Sequence, residues 1–284
     1  MGGRSSAYIS YENPSGSSGV DLGIMSDISD SIDDDKDTKL PHSGWTQKLK
    51  DKNIHIKEST DKISEQILVP NAMKIHELSQ KYGKSTKELK EQKQELRVRS
   101  HTMEGSVEAM FSSSPTNFEN LQIVYNSDIR YMTKERLETQ TQNQIASNFW
   151  THSDKDELVN HTISHEYGHF IQRVLMERDI RSNKQDKERR EKLLDDLGKT
   201  SKSKSKSYKI IQEYAEEYAT KYIKAVQRVC RKNFGRDYEQ KPLSDYSRES
   251  NREYFAEIFC NSETNKNPDD IGKAMKIYLN KKLN

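Results

Sequence analysis

The feature that most constrains this chain is the pattern His-Glu-x-x-His, formed by His165, Glu166 and His169. On a helix, two histidines four positions apart lie on one face, one turn above the other. Both imidazoles can then reach a single zinc ion at about 2.0–2.1 Å. The glutamate between them borders the same site. The pattern therefore predicts a helix here that carries half of a catalytic zinc centre.

The flanking residues support that helix. Ser153 and Asp156 resemble the start of a capping box, and apolar residues recur at helical spacing up to about Met176. Gly168 is the one internal breaker, at a cost of about 1 kcal/mol, and it leaves room for another element to approach closely. The alternative interpretation is two structural histidines that bracket a glutamate by chance.

A catalytic zinc ion needs three protein ligands and one open position. The extended pattern with a third histidine six residues after the second fails, because Leu175 stands there. The candidate is Glu253, in a second apolar helical stretch where Glu257 follows one turn later on the same face. One of these carboxylates can bind metal while the other accepts a hydrogen bond from a ligating imidazole. Alternatively, Ser250 and Glu253 are only a capping box and Glu257 is a solvated charge.

Together, the two stretches resemble the gluzincin metallopeptidases, and among these the catalytic domain of anthrax lethal factor and its relatives. That family has a His-Glu-Phe-Gly-His core, to which His-Glu-Tyr-Gly-His at 165–169 is similar. It also has a tyrosine seven residues ahead of Glu-Phe-Phe-Ala-Glu, where this chain has Tyr246 ahead of Glu-Tyr-Phe-Ala-Glu at 253–257. Similar domains occur in proteins of bacterial phages and mobile elements. The resemblance covers residues 106–284 and is specific at the two motif stretches.

The resemblance implies three zinc ligands, namely His165, His169 and Glu253. It also implies Glu166 as the general base, Tyr246 as a hydrogen-bond donor to the transition state, and Glu257 as the partner of a ligating histidine. The expected activity is that of a zinc-dependent endopeptidase, which hydrolyses a protein or peptide substrate with a metal-activated water. The alternative is a catalytically silent structural or interaction protein of a phage or mobile element on the same scaffold.

The predicted fold is α+β, zincin-like and mostly helical, with a small antiparallel sheet before the zinc helix. Residues 58–94 have a helical pattern, after which the period changes. Residues 96–101 alternate, residues 106–112 fit a strand, and residues 121–126 give the clearest strand. In a zincin fold, the edge strand of this sheet accepts the substrate as an added strand.

Composition divides the chain into three parts. Residues 1–44 contain three basic and eight acidic residues and are predicted to form a disordered acidic tail. Residues 45–95 form a helical N-terminal region, and residues 96–284 form the zincin-like metallopeptidase domain. Within this domain, residues 178–209 are predicted to be a charged flexible insertion. Its Lys-Ser run could also contact nucleic acid, but no aromatic residues interleave with it.

The composition of the whole chain argues against several kinds of partner. A net charge of +2 gives no reason to expect nucleic-acid or membrane binding. No apolar run approaches the roughly 18 residues of a membrane span, and no secretion signal is evident. A cytoplasmic location is expected, and non-classical export or association with a virion is compatible with it. Cys230 and Cys260 fall in amphipathic helical patterns, which predicts buried thiols rather than a disulfide.

Overall fold

The computed structural model describes residues 43–103, 108–114, 117–200, 204–235 and 242–284. The helices in these ranges are α1 (Ser43–Lys50), α2 (Glu65–Lys81), α3 (Gly83–Glu91), α4 (Lys134–Ala146), α5 (His161–Ser182), α6 (Lys184–Thr200), α7 (Lys204–Phe234), α8 (Asn251–Thr264) and α9 (Asp270–Leu283). The strands are β1 (Ile54–Ile56), β2 (Leu96–His101), β3 (Ala109–Ser112) and β4 (Leu121–Asn126). The described residues are mostly helical with one small sheet, which confirms the predicted α+β class.

The sheet is mixed, so the prediction of an antiparallel sheet was wrong. Its strand order is β1-β2-β4-β3. β1 runs parallel to β2, and β2 runs parallel to β4, while β3 and β4 are antiparallel. The parallel pairing of β1 with β2 is possible because α2 and α3 form a crossover between them. β3 occupies one edge of the sheet, and β4 returns between β3 and β2.

The two helices that carry the predicted site are buried on all sides. Every residue of α5 from His161 to Glu177 is buried, and so is every residue of α8 from Arg252 to Thr264. They belong to one cluster of buried apolar side chains that extends from Leu49 in α1 to Leu283 in α9. Polar groups buried in such helices are normally satisfied by other protein groups or by ordered water.

The start of α5 differs from the predicted start. The segment Lys155–Asn160 forms a short 3-10 helix, and α5 begins only at His161. Ser153 does not cap the helix; its hydroxyl is hydrogen-bonded to His161 Nδ1 at 2.7 Å and to Thr264 Oγ1 at 2.6 Å. The Ser153 hydroxyl therefore connects α5 to α8 instead of capping α5.

The segment of residues 178–209, predicted to be a charged flexible insertion, is helical in its described part except at Asn183. Charged side chains cover its exposed surface, but Leu193 and Asp186 are buried. Asp186 accepts hydrogen bonds from Tyr218 Oη at 2.8 Å and Lys221 Nζ at 3.1 Å, which joins α6 to α7. These partners are more than 30 residues away in the chain, so local composition does not reveal them.

Two predicted segments lie partly or mostly outside the described residues. The acidic tail predicted at 1–44 is described only at Ser43 and Gly44, in the first turn of α1. Within the Lys-Ser run, residues 201–203 lie outside the described residues. Both cysteines are described, and both are buried free thiols, which confirms the prediction. In the described part of the chain, no helix combines the length and apolar character needed to cross a bilayer.

Candidate metal centre

His165, His169 and Glu253 converge in the interior between α5 and α8. Glu253 Oε2 lies 3.1 Å from His165 Nε2 and 3.2 Å from His169 Nε2. All three side chains are buried, and their ligand atoms lie within 4.8 Å of one another. Tetrahedral ligands at about 2.0–2.1 Å from a zinc ion are about 3.3 Å apart. The two distances from Glu253 Oε2 are close to that value, and the group could bind a metal ion.

Gly168 allows α8 to approach α5 at this point. A β-carbon at residue 168 would lie 3.1 Å from Phe259 Cδ1 and 3.2 Å from both Ala256 Cα and Phe259 Cβ. Favourable contacts between carbon atoms lie at about 3.5–4.0 Å, so only glycine fits without displacement. Gly168 stands between the two histidines, and Ala256 is one turn from Glu253. The close approach therefore brings the carboxylate to the imidazoles, as the sequence-based interpretation of Gly168 anticipated.

Glu257 lies behind His165 and is fully buried, so it is not the solvated charge of the alternative interpretation. Its Oε1 accepts a hydrogen bond from His165 Nδ1 at 2.9 Å. Its Oε2 accepts hydrogen bonds from the backbone N–H of Thr151 and the hydroxyl of Ser244, both at 2.7 Å. A carboxylate bound to the far nitrogen of an imidazole fixes its tautomer and ring orientation. His165 Nε2 is therefore directed at Glu253.

Ser250 caps α8, as the capping-box interpretation predicts. Its hydroxyl accepts a hydrogen bond from the backbone N–H of Glu253 at 3.2 Å. The side chain of Glu253 nevertheless contacts both histidines. Capping and convergence with the histidines thus involve different atoms of the same residue.

Glu166 is fully buried where α5 meets the sheet. Its Oε2 accepts a hydrogen bond from the backbone N–H of Phe111 at 2.6 Å. Phe111 belongs to β3, so the edge strand lies against the helix that carries both histidines. This contact could not be predicted from the sequence, because any residue type can supply a backbone donor.

Tyr246 lies next to His165. The two ring centroids are 5.6 Å apart, and the tyrosine is only 5% exposed. It begins a short 3-10 turn, Tyr246–Arg248, and its backbone N–H donates to the carbonyl oxygen of Phe149 at 3.1 Å. The structure thus brings the tyrosine predicted from the resemblance to the same site as the histidines.

The imidazoles and carboxylates shift one another's pKa values. Burial lowers the pKa of His165, but the hydrogen bonds with Glu253 and Glu257 outweigh burial and raise this pKa to about 10. Burial lowers the pKa of His169, and Glu253 offsets only part of this effect. Burial acts to raise the pKa of Glu253, yet the two histidines hold it well below its usual range. At neutral pH these shifts keep both ring nitrogens of His165 protonated, and a bound cation would displace one of the two protons.

His161 lies one turn before His165 but is held separately. Its ring stacks on Trp150 with centroids 4.5 Å apart, and its Nδ1 contacts the Ser153 hydroxyl at 2.7 Å. Burial lowers the pKa of His161 to about 4, so this imidazole is neutral at physiological pH. His161 is not part of the group that could bind metal.

Ser244 and Thr151 are further residues that the sequence analysis missed. Both bind Glu257, one through a hydroxyl and the other through its backbone. The position of Ser244 two residues before Tyr246 was the only available hint.

No family model, curated protein or solved structure matches the chain. The gluzincin relationship thus stays a prediction, carried by the motif stretches and by the arrangement of their side chains.

Proposed function

We propose that this protein is a zinc-dependent endopeptidase with a zincin-like, gluzincin-type metal centre. The observation that carries the proposal is the convergence of Glu253 with His165 and His169, although it follows His169 by 84 residues. Two imidazoles and one carboxylate are a ligand set of catalytic zinc sites. The bond from His165 Nδ1 to Glu257 leaves Nε2 available for the metal, as in other histidine ligands.

The residues around this group have the chemistry that peptide hydrolysis requires. A zinc ion bound there would act as a Lewis acid and lower the pKa of a water molecule to about 7. Glu166 would serve as the general base for that water and as the acid that protonates the leaving amine. The N–H of Phe111 holds one oxygen of Glu166 in place at 2.6 Å. The phenol of Tyr246 donates a hydrogen bond to the oxyanion that develops on the substrate carbonyl.

The sheet favours an extended peptide as substrate. Among the strands that the structure describes, β3 pairs only with β4. The N–H of Phe111 points away from β4 and reaches Glu166. Because Glu166 already occupies the Phe111 N–H, a peptide that adds to this edge would pair with other main-chain groups of β3, and its backbone would lie beside the general base. This mode of binding gives affinity without a defined side-chain sequence.

The decisive comparison is between wild type and Glu166→Gln, which keeps the shape of the side chain and removes its basicity. Zinc content is measured by elemental analysis, and cleavage is measured on a broad peptide library. We expect wild type to cleave peptides and the variant to lose a factor on the order of 10²–10⁴ in rate while keeping its zinc. His165→Ala serves as the control that loses both metal and cleavage.

Two results would contradict the proposal. Wild-type protein that binds zinc but cleaves no more peptide than Glu166→Gln would favour a silent structural or interaction protein. Wild-type protein that binds no zinc would contradict the metal centre itself.

A further inference from the structure

We infer that Ser244 is a positioning residue that couples the orientation of His165 to the placement of Tyr246. The catalytic part of this inference rests on the proposed function, whereas its metal-binding part does not require peptide cleavage. The inference starts from one buried hydroxyl, on a residue only 1% exposed, that contacts two different parts of the site.

The first contact of this hydroxyl is with Glu257. Ser244 Oγ donates to Glu257 Oε2 at 2.7 Å, and Oε1 of the same carboxylate accepts the hydrogen bond from His165 Nδ1 at 2.9 Å. Since a carboxylate is planar, a donor that fixes Oε2 also fixes the direction of Oε1. The serine thus acts on the His165 ring through Glu257. In a variant that lacks the Ser244 hydroxyl, the backbone N–H of Thr151 would still donate to Glu257 Oε2.

The second contact is with the turn that contains Tyr246. Ser244 Oγ accepts a hydrogen bond from the backbone N–H of Ser247 at 3.1 Å. The hydroxyl of Ser247 in turn accepts from the backbone N–H of Ser244 at 3.2 Å and donates to its carbonyl oxygen at 2.6 Å. These bonds close the turn around Tyr246, whose ring faces His165. One hydroxyl therefore links the metal-orienting carboxylate to the tyrosine.

Ser247 provides a matched control, because it closes the same turn but, among the described residues, bonds to Ser244 and not to Glu257. Ser244→Ala should weaken zinc binding about tenfold. This is the lower end of the roughly 10–100-fold loss that follows when a group supporting a metal ligand is removed. Ser247→Ala should leave zinc affinity within about twofold. Both variants should lower kcat more than KM, since both loosen the turn that holds the transition-state donor.

The experiment measures zinc affinity of the full chain by competition with a chromophoric chelator. The proteins are wild type, Ser244→Ala, Ser247→Ala, Glu257→Gln and the double variant Ser244→Ala/Glu257→Gln. If the serine acts through Glu257, the double variant binds zinc as weakly as Glu257→Gln alone, so the two effects do not add. Thermal unfolding in the presence of excess chelator checks that each variant is folded. Where Ser244→Ala does not fold, Ser244→Cys keeps the size of the side chain with a weaker donor and supplies the same comparison.

Three results would overturn the inference. Equal zinc affinities for wild type and Ser244→Ala would show that the serine does not orient the ligand. Equal weakening by Ser244→Ala and Ser247→Ala would reduce its role to the stability of the turn. Independent, additive effects of Ser244→Ala and Glu257→Gln would exclude action through the carboxylate. A chain that binds zinc but cleaves no peptide would overturn the proposed function and the effect on kcat, while the affinity comparison still decides whether Ser244 orients His165.

Discussion

Substitution of Gly168 by alanine tests whether the close approach of α5 and α8 determines the geometry of the metal centre. The new β-carbon would lie 3.1–3.2 Å from three carbon atoms of α8. Two of these, Ala256 Cα and Phe259 Cβ, are fixed to the helix and cannot move by a side-chain rotation. Phe259 is itself fully buried between Tyr82 and Tyr167, with ring centroids at 5.8 and 6.3 Å. Helix α8 as a whole must therefore retreat.

Two opposing terms determine the size of the effect. Alanine favours a helix over glycine by up to about 1 kcal/mol. Overpacking of a rigid core costs about 1–3 kcal/mol. Because the contacts are with fixed atoms, we expect overpacking to dominate and the free energy of unfolding to fall by about 1 kcal/mol. Helix α8 would move by about 0.3 Å to restore contacts near 3.5 Å, and Glu253 moves with it. Such a shift exceeds the tolerance of about 0.2 Å in metal–ligand distances, so zinc affinity should fall on the order of tenfold.

The assay combines urea unfolding in excess chelator with zinc competition. Gly198→Ala is the matched control, because Gly198 is exposed in α6 and a β-carbon there meets nothing within 4 Å. This control should gain up to about 1 kcal/mol of stability and keep its zinc affinity. If Gly168→Ala gains stability in the same way and keeps its zinc affinity, the helix contact does not set the site.

Three further predictions concern single groups. Tyr246→Phe should lower kcat on the order of a hundredfold in steady-state peptide cleavage, with zinc content unchanged and little effect on KM; an unaltered kcat would remove the phenol from the mechanism. Because the pKa of His165 is raised to about 10 and a cation displaces its proton, apparent zinc affinity should rise about tenfold per pH unit between about pH 6 and 8, and a flat profile would contradict this. Glu108 is hydrogen-bonded to Thr162 and Gln140, and burial raises its pKa from 4.5 to about 7. Its protonated form is favoured by folding, so its contribution to stability is complete below about pH 4.5 and is lost as the pH rises through about 7. Urea unfolding at both ends of this range should show that Glu108→Gln removes about 3 kcal/mol of the pH dependence, and identical dependence in both proteins would refute the assignment.

The ligand residues could be predicted because helical spacing is a local property. His165 and His169 share a face for any helix at this position, and the same holds for Glu253 and Glu257. Spacing within each helix does not determine the distance between the two helices. That pairing was predicted from the need for a third zinc ligand and then from the family resemblance, and Gly168 was its only local indication.

The rest of the arrangement depends on contacts that sequence patterns do not encode. β1 has only three residues, too few to show a period, and its parallel partner β2 lies about 40 residues later. The sheet direction was therefore predicted incorrectly. The bond from the Phe111 N–H to Glu166 involves the backbone, which any residue could supply. Ser244 belongs to a common residue type, and only its position behind Glu257 distinguishes it.

The most direct test of the central claim is anomalous diffraction from crystals of the full chain grown with zinc, with data collected on both sides of the zinc absorption edge. We expect one peak, present above the edge only, at about 2.0–2.2 Å from His165 Nε2, His169 Nε2 and the Glu253 carboxylate. The peak should be missing from crystals of His165→Ala. A zinc peak only elsewhere in the molecule, or no peak between α5 and α8 when zinc exceeds the protein concentration, would rule out the proposed metal centre.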